Sequence, residues 1–144
     1  MRTSGNVLSV VILGGCLLVL AACAIGGLKQ AEIDPWLNNI SGGVPPAMDL
    51  SGAWYDDKGN FMFGWGEGQL RQEQGRLTGA IGNYNVKGRV GGKKVYLVFL
   101  SGGKVYYTAR LEQFDEGVLT GEYFDAHDRL QANGYPTSLA RKKD

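Results

Sequence analysis

A chain of 144 residues with 15 Lys and Arg against 14 Asp and Glu is close to neutral, which excludes bulk electrostatic attraction to nucleic acid as its mode of action. Glycine is abundant at 23 residues, yet 44% of the chain is apolar, and that fraction excludes wholesale disorder. The length suits one domain with a modest core once a leader is set aside.

Residues 1–22 read as that leader. Arg2 gives a weakly basic start, Val7–Leu20 is strongly apolar, and the run ends in Leu20-Ala21-Ala22-Cys23, the layout of a secretory signal. This ending, a branched apolar residue, two small residues and a cysteine, resembles the lipobox of bacterial lipoproteins. The resemblance implies cleavage before Cys23, a thioether-linked diacylglycerol on its sulfur and an acylated (palmitate-type) new amino terminus. The partner so implied is a lipid bilayer. Ala24, rather than Asp, follows the cysteine, which by resemblance to enterobacterial sorting implies the outer membrane. Two other readings stand beside it: the uncharged run Val7–Leu28 as a plain transmembrane helix, and Leu13-Gly14-Gly15-Cys16 as the true box. With Cys23 lipidated and Cys16 removed, the folded part has no cysteine for a disulfide, a nucleophile or a metal.

Residues 23–48 form a lipid-anchored flexible tether, punctuated by Gly26-Gly27, Gly42-Gly43 and Pro45-Pro46. Inside it a short helix is predicted. Asp34 is the candidate cap, Pro35 suits the first helical position, and Gly42 suits the end. Trp36, Leu37 and Ile40 share a face, which packs on the domain, plugs a barrel end or dips into the membrane surface.

From residue 49 to 144 the period is two. Tyr84, Val86, Gly88 and Val90 alternate with polar residues, as do Val105, Tyr107, Ala109 and Leu111 with Tyr106, Thr108, Arg110 and Glu112. Glycine-bearing turns separate the runs. Strands are predicted at 50–56, 60–65, 68–73, 76–82, 84–90, 94–100, 104–114 and 117–124, with a ninth at 129–141 interrupted by Gly134 and Pro136. Gly75-Arg76-Leu77-Thr78-Gly79 and Gly117-Val118-Leu119-Thr120-Gly121 form a weak repeat. Its second glycines permit the strand coiling that a small barrel needs. The fold class is all-β: an antiparallel up-and-down meander of about eight short strands, closed into a small barrel that hides its edges.

Gly52-Ala53-Trp54-Tyr55 opens the first strand. A Gly-x-Trp there, ahead of such a meander, resembles the calycins (lipocalins, fatty-acid-binding proteins and avidins). That resemblance implies that Trp54 closes one barrel end and that a C-terminal arginine, Arg141, packs across its ring. Gly52–Asn60 and Leu119-Thr120-Gly121-Glu122-Tyr123 are avidin-like in spacing. The other tryptophans, Trp36 and Trp65, do not match those around biotin, so the fold is carried over and biotin binding is not.

Catalytic patterns are weak. His127 is the lone histidine, in Asp125-Ala126-His127-Asp128, and no Gly-x-Ser-x-Gly elbow accompanies it. Glu67, Glu73, Glu112 and Glu122 offer carboxylates without a distinguishing spacing. Asp56-Asp57-Lys58-Gly59-Asn60 reads as turn chemistry before it reads as a calcium loop. No enzyme activity, cofactor or metal is expected. Lys87, Arg89, Lys93 and Lys94 form a polar hairpin face suited to solvent or to anionic headgroups. The expected role is a non-catalytic binding module of the envelope. One version holds a small apolar ligand in a cavity beside Gly52, Trp54, Tyr84, Tyr107 and Tyr123. Another binds an envelope protein, as a hydrolase inhibitor or assembly accessory, through an outward stripe of Tyr96, Val98, Leu100 and Tyr106. A passive structural lipoprotein is the third.

Overall fold

The structure, a computed structural model, describes residues 27–56, 64–126 and 133–143. Alternation along each strand sends one side chain inward and the next to the outer wall. On β4 (Tyr84–Gly91), Val86 and Val90 are buried while Asn85 is exposed. The other strands are β1 (Gly52–Asp56), β2 (Glu67–Glu73), β3 (Arg76–Ile81), β5 (Lys94–Ser101), β6 (Lys104–Asp115), β7 (Val118–Asp125) and β8 (Tyr135–Arg141). Tight turns make every hairpin from β2 to β7 a pair of spatial neighbours. β1 then pairs antiparallel with β8 through Trp54↔Arg141, Tyr55↔Ala140 and Asp56↔Leu139, so the sheet closes into an eight-stranded antiparallel barrel without a crossover.

Two predicted strands shift. Of the stretch 60–65, Gly64 and Trp65 are not in a strand, and the remainder lies outside the described residues. The predicted ninth strand is the eighth, and it runs through Pro136 unbroken. Pro136 sits opposite Glu122 of β7, on a stretch of β8 that β1 does not reach. A residue without an N–H is tolerated beside such an unpaired side.

Gly79 on β3 and Gly121 on β7, the second glycines of the repeat, mark close approaches between neighbouring strands. A Cβ on Gly79 would lie 2.0 Å from the Gln69 carbonyl oxygen, and one on Gly121 would lie 2.1 Å from that of Arg110. Both obstacles are backbone of the adjoining strand, so neither can rotate aside. Gly79→Ala and Gly121→Ala are each expected to cost about 1–3 kcal/mol or more, read as a drop in the urea midpoint. A shift near zero for both would mean that closure does not depend on these approaches.

A single 3₁₀ turn, Gln30–Glu32, leads into α1 (Ile33–Ser41), which ends at Gly42 with φ of 63°. The helix starts earlier than predicted: Glu32, not Asp34, is the N-cap residue. Asp34 and Pro35 occupy the first turn, where a carboxylate meets unsatisfied N–H groups and a missing N–H loses no bond. Ile33 and Leu37 are buried, with Trp36 and Ile40 packed beside them, against Tyr96, Val98 and Leu100 on the outer wall of β5. The chain after the helix is pinned to the β4–β5 turn, where Gly92 N donates to the Pro45 carbonyl and Ala47 N to the Gly92 carbonyl, both at 2.9 Å. From Leu28 onward, the predicted tether is therefore part of the packed body.

This packing corrects the predicted partner surface. Tyr96, Val98 and Leu100 do point outward, but they are 8%, 0% and 5% exposed because α1 covers them. An apolar stripe on an outer wall must be hidden from water, and here the chain supplies its own cover. Tyr106 alone of the four stays open, at 46%.

Candidate functional site

The barrel has two ends with different chemistry. At one end, Met48–Ser51 crosses the opening before β1 begins. Gln72 on β2 holds it: its amide nitrogen donates to the Met48 carbonyl at 2.8 Å, and its amide oxygen accepts from Leu50 N at 2.9 Å. Leu50 and Trp54 are buried beneath, and the Trp54 indole N–H donates to the Leu50 carbonyl at 2.8 Å. The Arg141 guanidinium lies 4.8 Å over the Trp54 ring. It donates to the Ser51 and Asp49 carbonyls at 2.6 Å each. Gly52 lies directly under this group, since a Cβ there would come 2.9 Å from an Arg141 nitrogen. A recess of about 810 Å³ lies outside this end. Its lining mixes Asp49, Asp115 and Glu116 with Arg141 and Lys143, and its arginine is already committed to the Ser51 and Asp49 carbonyls.

The interior above is filled. Leu70, Leu77, Val86, Leu97, Leu111, Leu119 and Leu139 belong to one buried cluster that runs from Leu50 and Trp54 to Phe99 and Trp65. The expected cavity is thus not one space. Gly52 and Trp54 lie at the closed end, Tyr84, Tyr107 and Tyr123 lie at the other, and packed aliphatic side chains separate them.

At the open end, Trp65 descends from the segment before β2. Asp56, at the end of β1, accepts a hydrogen bond from Trp65 N at 3.0 Å. The ring stacks on Phe99 at 4.1 Å and 13°. Its N–H donates to Thr137 Oγ1 of β8 at 2.9 Å. Tyr84, Tyr107 and Tyr123 surround it at 5.8, 5.2 and 5.1 Å, each nearly perpendicular to the indole. Above these rings opens a recess of about 750 Å³, lined by Trp65, the three tyrosines, Tyr135, Asp125, Asn83 and the glycines at 64, 66 and 82. Tyr135 extends the wall at 5.3 Å from Tyr123. Three strands carry their tyrosines here because inward positions near this end fall on 84, 107 and 123, as the alternation requires.

Two of these phenols, those of Tyr107 and Tyr123, are pushed toward the neutral form. Burial, then the Tyr84 hydroxyl to which it hydrogen-bonds, then Asp125 and Tyr123, raise the Tyr107 pKa. Burial, then Tyr135, Asp125 and Asp56, raise that of Tyr123. A phenol whose folded pKa is raised contributes stability that is complete below about 10 and is lost as pH rises through the folded value. Phenolate absorbance during an alkaline titration is expected to show late-ionising tyrosines, and Tyr107→Phe should remove one of them. A titration in which all tyrosines ionise together at the ordinary value would contradict this.

The remaining candidates disperse. Glu67 pairs with Lys142 at 3.0 Å, Glu73 with Arg71, and Glu122 with Arg110 at 3.3 Å. Glu112 lies opposite Lys94 on the outer wall. Glu112 and Glu122 line one shallow recess of about 360 Å³ on the outer wall, together with Lys94 and Arg110. Cys23, His127 and Asp57–Asn60 lie outside the described residues. Among the described residues no group of three or more His, Cys, Asp or Glu is placed to hold a metal, and no helix is long and apolar enough to cross a membrane. Sequence reasoning missed Trp65, Asp125 and Tyr135 as site residues. The usable signal for Trp65 was a large ring set between Gly64 and Gly66, where the flanking residues contribute no packing of their own. No family model, curated protein or solved structure matches the chain.

Proposed function

We propose that the protein is a non-catalytic binding module of the bacterial envelope, anchored through an acylated Cys23, with a calycin-type barrel that holds a small molecule at its open end. The observation that carries this reading is the recess floored by Trp65 and walled by Tyr84, Tyr107 and Tyr123. Recesses of this size, with apolar rings and a few placed polar groups, are what small-molecule sites look like. The closed end supports the calycin comparison: Trp54 under Arg141 matches the barrel-closing pair that the resemblance implies. The ligand differs from the one expected of a hollow barrel. Because Trp65 occupies the upper interior, a bound molecule rests on the indole among hydroxyl groups instead of descending into an apolar shaft. The protein-binding alternative has lost most of its proposed surface to α1.

Native mass spectrometry of the full-length product, extracted from its host membrane in mild non-ionic detergent, tests both halves. The expected result is a chain beginning at Cys23 with the added mass of its acyl chains, together with a non-covalent small molecule that is absent from Tyr107→Ala. A chain that begins at Met1, or a bare thiol at Cys23, overturns the anchor. A barrel that is empty in every preparation overturns the ligand site.

A further inference from the structure

We propose that the open-end cup selects a small organic cation, a quaternary or alkylated ammonium group on a compact body. This rests on the reading of that end as a ligand site and names the class of ligand it takes. Three features of the cup point the same way. Trp65, Tyr84, Tyr107 and Tyr123 have successive centroids 5.1–5.8 Å apart. Rings at that spacing touch one another, so the four form one continuous aromatic surface, and an ion resting against it lies within about 6 Å of more than one ring, the range over which a ring attracts a cation.

The charge balance of the lining is the second feature. Among the described residues that line the recess, Asp125 is the charged one, and no Lys, Arg or His accompanies it. An anion placed here would face a carboxylate and the negative faces of the rings, and no Lys, Arg or His among the described lining residues would answer it. A purely apolar molecule would bury the phenol hydroxyls and Asp125 without giving them a partner. A cation with methyl or methylene substituents meets both demands: its carbon surface covers the rings, and its charge answers Asp125. The pKa values of Tyr107 and Tyr123 are raised, chiefly by burial, so these two walls keep neutral ring faces at neutral pH.

The third feature is the contrast between the two tryptophans. Trp54 already has a cation of its own, the Arg141 guanidinium. The other cation–ring contact among the described residues is Arg110 on Phe124, on the outer wall. Among the described residues no such contact involves the rings of the cup, and a cation from outside the chain would supply one.

Three probes of nearly equal shape separate the possibilities: choline, the neutral 3,3-dimethylbutan-1-ol and the anionic 3,3-dimethylbutanoate. Each is titrated into the full-length protein in non-ionic detergent and followed by tryptophan fluorescence and calorimetry. Choline is expected to bind about tenfold more tightly than the neutral isostere, and the anion not measurably. Asp125→Asn should weaken choline several-fold and leave the neutral probe unchanged. If the neutral isostere binds as well as choline, or the anion binds better, the cation preference is overturned while the cup stands as a ligand site. If none of the three binds, the cation preference is overturned too. Whether the cup is a site at all is then decided by the co-purifying molecule in the native mass measurement.

Discussion

Trp65→Ala is expected to lower stability by about 3–5 kcal/mol and to leave a cavity that free indole refills. The size of the loss follows from position: Trp65 is 7% exposed, stacked on Phe99 and edged by three tyrosines. Truncating a buried aromatic residue forfeits both its transfer free energy and the contacts around the void, since a closed barrel relaxes only partly. The indole N–H also leaves Thr137 Oγ1 without its partner, and that residue is itself 7% exposed. A void walled by rings admits a small aromatic molecule of matching shape. At indole concentrations tenfold above its dissociation constant, about 1.4 kcal/mol should return. Urea unfolding with and without indole measures both effects. A loss below about 1 kcal/mol with no response to indole would show that Trp65 rests on the barrel without filling it.

The contrast between Trp54 and Trp65 explains what the sequence could disclose. Trp54 sits in a strand, at an inward position of an alternating run, two residues after a glycine, and it can be read. Arg141 is far away in the chain, but it belongs to the last strand, and closure necessarily brings the last strand to the first. Trp65 has no period around it. It enters the barrel from a glycine-rich connection, and only the three-dimensional path of that connection sends it inward. The outer stripe failed for a related reason. Parity on β5 shows that Tyr96, Val98 and Leu100 face away from the barrel axis, but facing outward is not the same as facing water. The amphipathic face of α1 and the stripe on β5 were each legible alone. Their pairing is a long-range contact that neither periodicity contains. Asp125 and Tyr135 share the inward parity of Tyr123 on β7 and Leu139 on β8, and the register sets them opposite Tyr107 and Tyr123, so alternation carried the signal for both.

Arg141→Ala is expected to cost about 2–3 kcal/mol. Two charge-assisted hydrogen bonds, to Ser51 and Asp49, and one ring contact are lost together. Their separate values would sum to more, but part of the fork is in solvent and is discounted accordingly. Arg141→Lys should recover less than half, because an ammonium cannot span two carbonyls while lying flat on an indole. Acid adds a second signature. The Ser51 backbone and side-chain hydrogen bonds, and then Arg141, lower the pKa of Asp49. A depressed carboxylate contributes stability that is present above its unfolded pKa and is lost as pH falls through the folded value. The wild type should therefore weaken below about pH 4, and Arg141→Ala should show a smaller acid loss from this residue. A packed interior separates the closed end from the cup. An Arg141→Ala protein that remains folded should accordingly bind the small probes with unaltered affinity, whereas Trp65→Ala should not. If Arg141→Ala weakened probe binding while the barrel stayed folded, the two ends would be coupled through the interior, and the division of the molecule into a structural end and a binding end would fail.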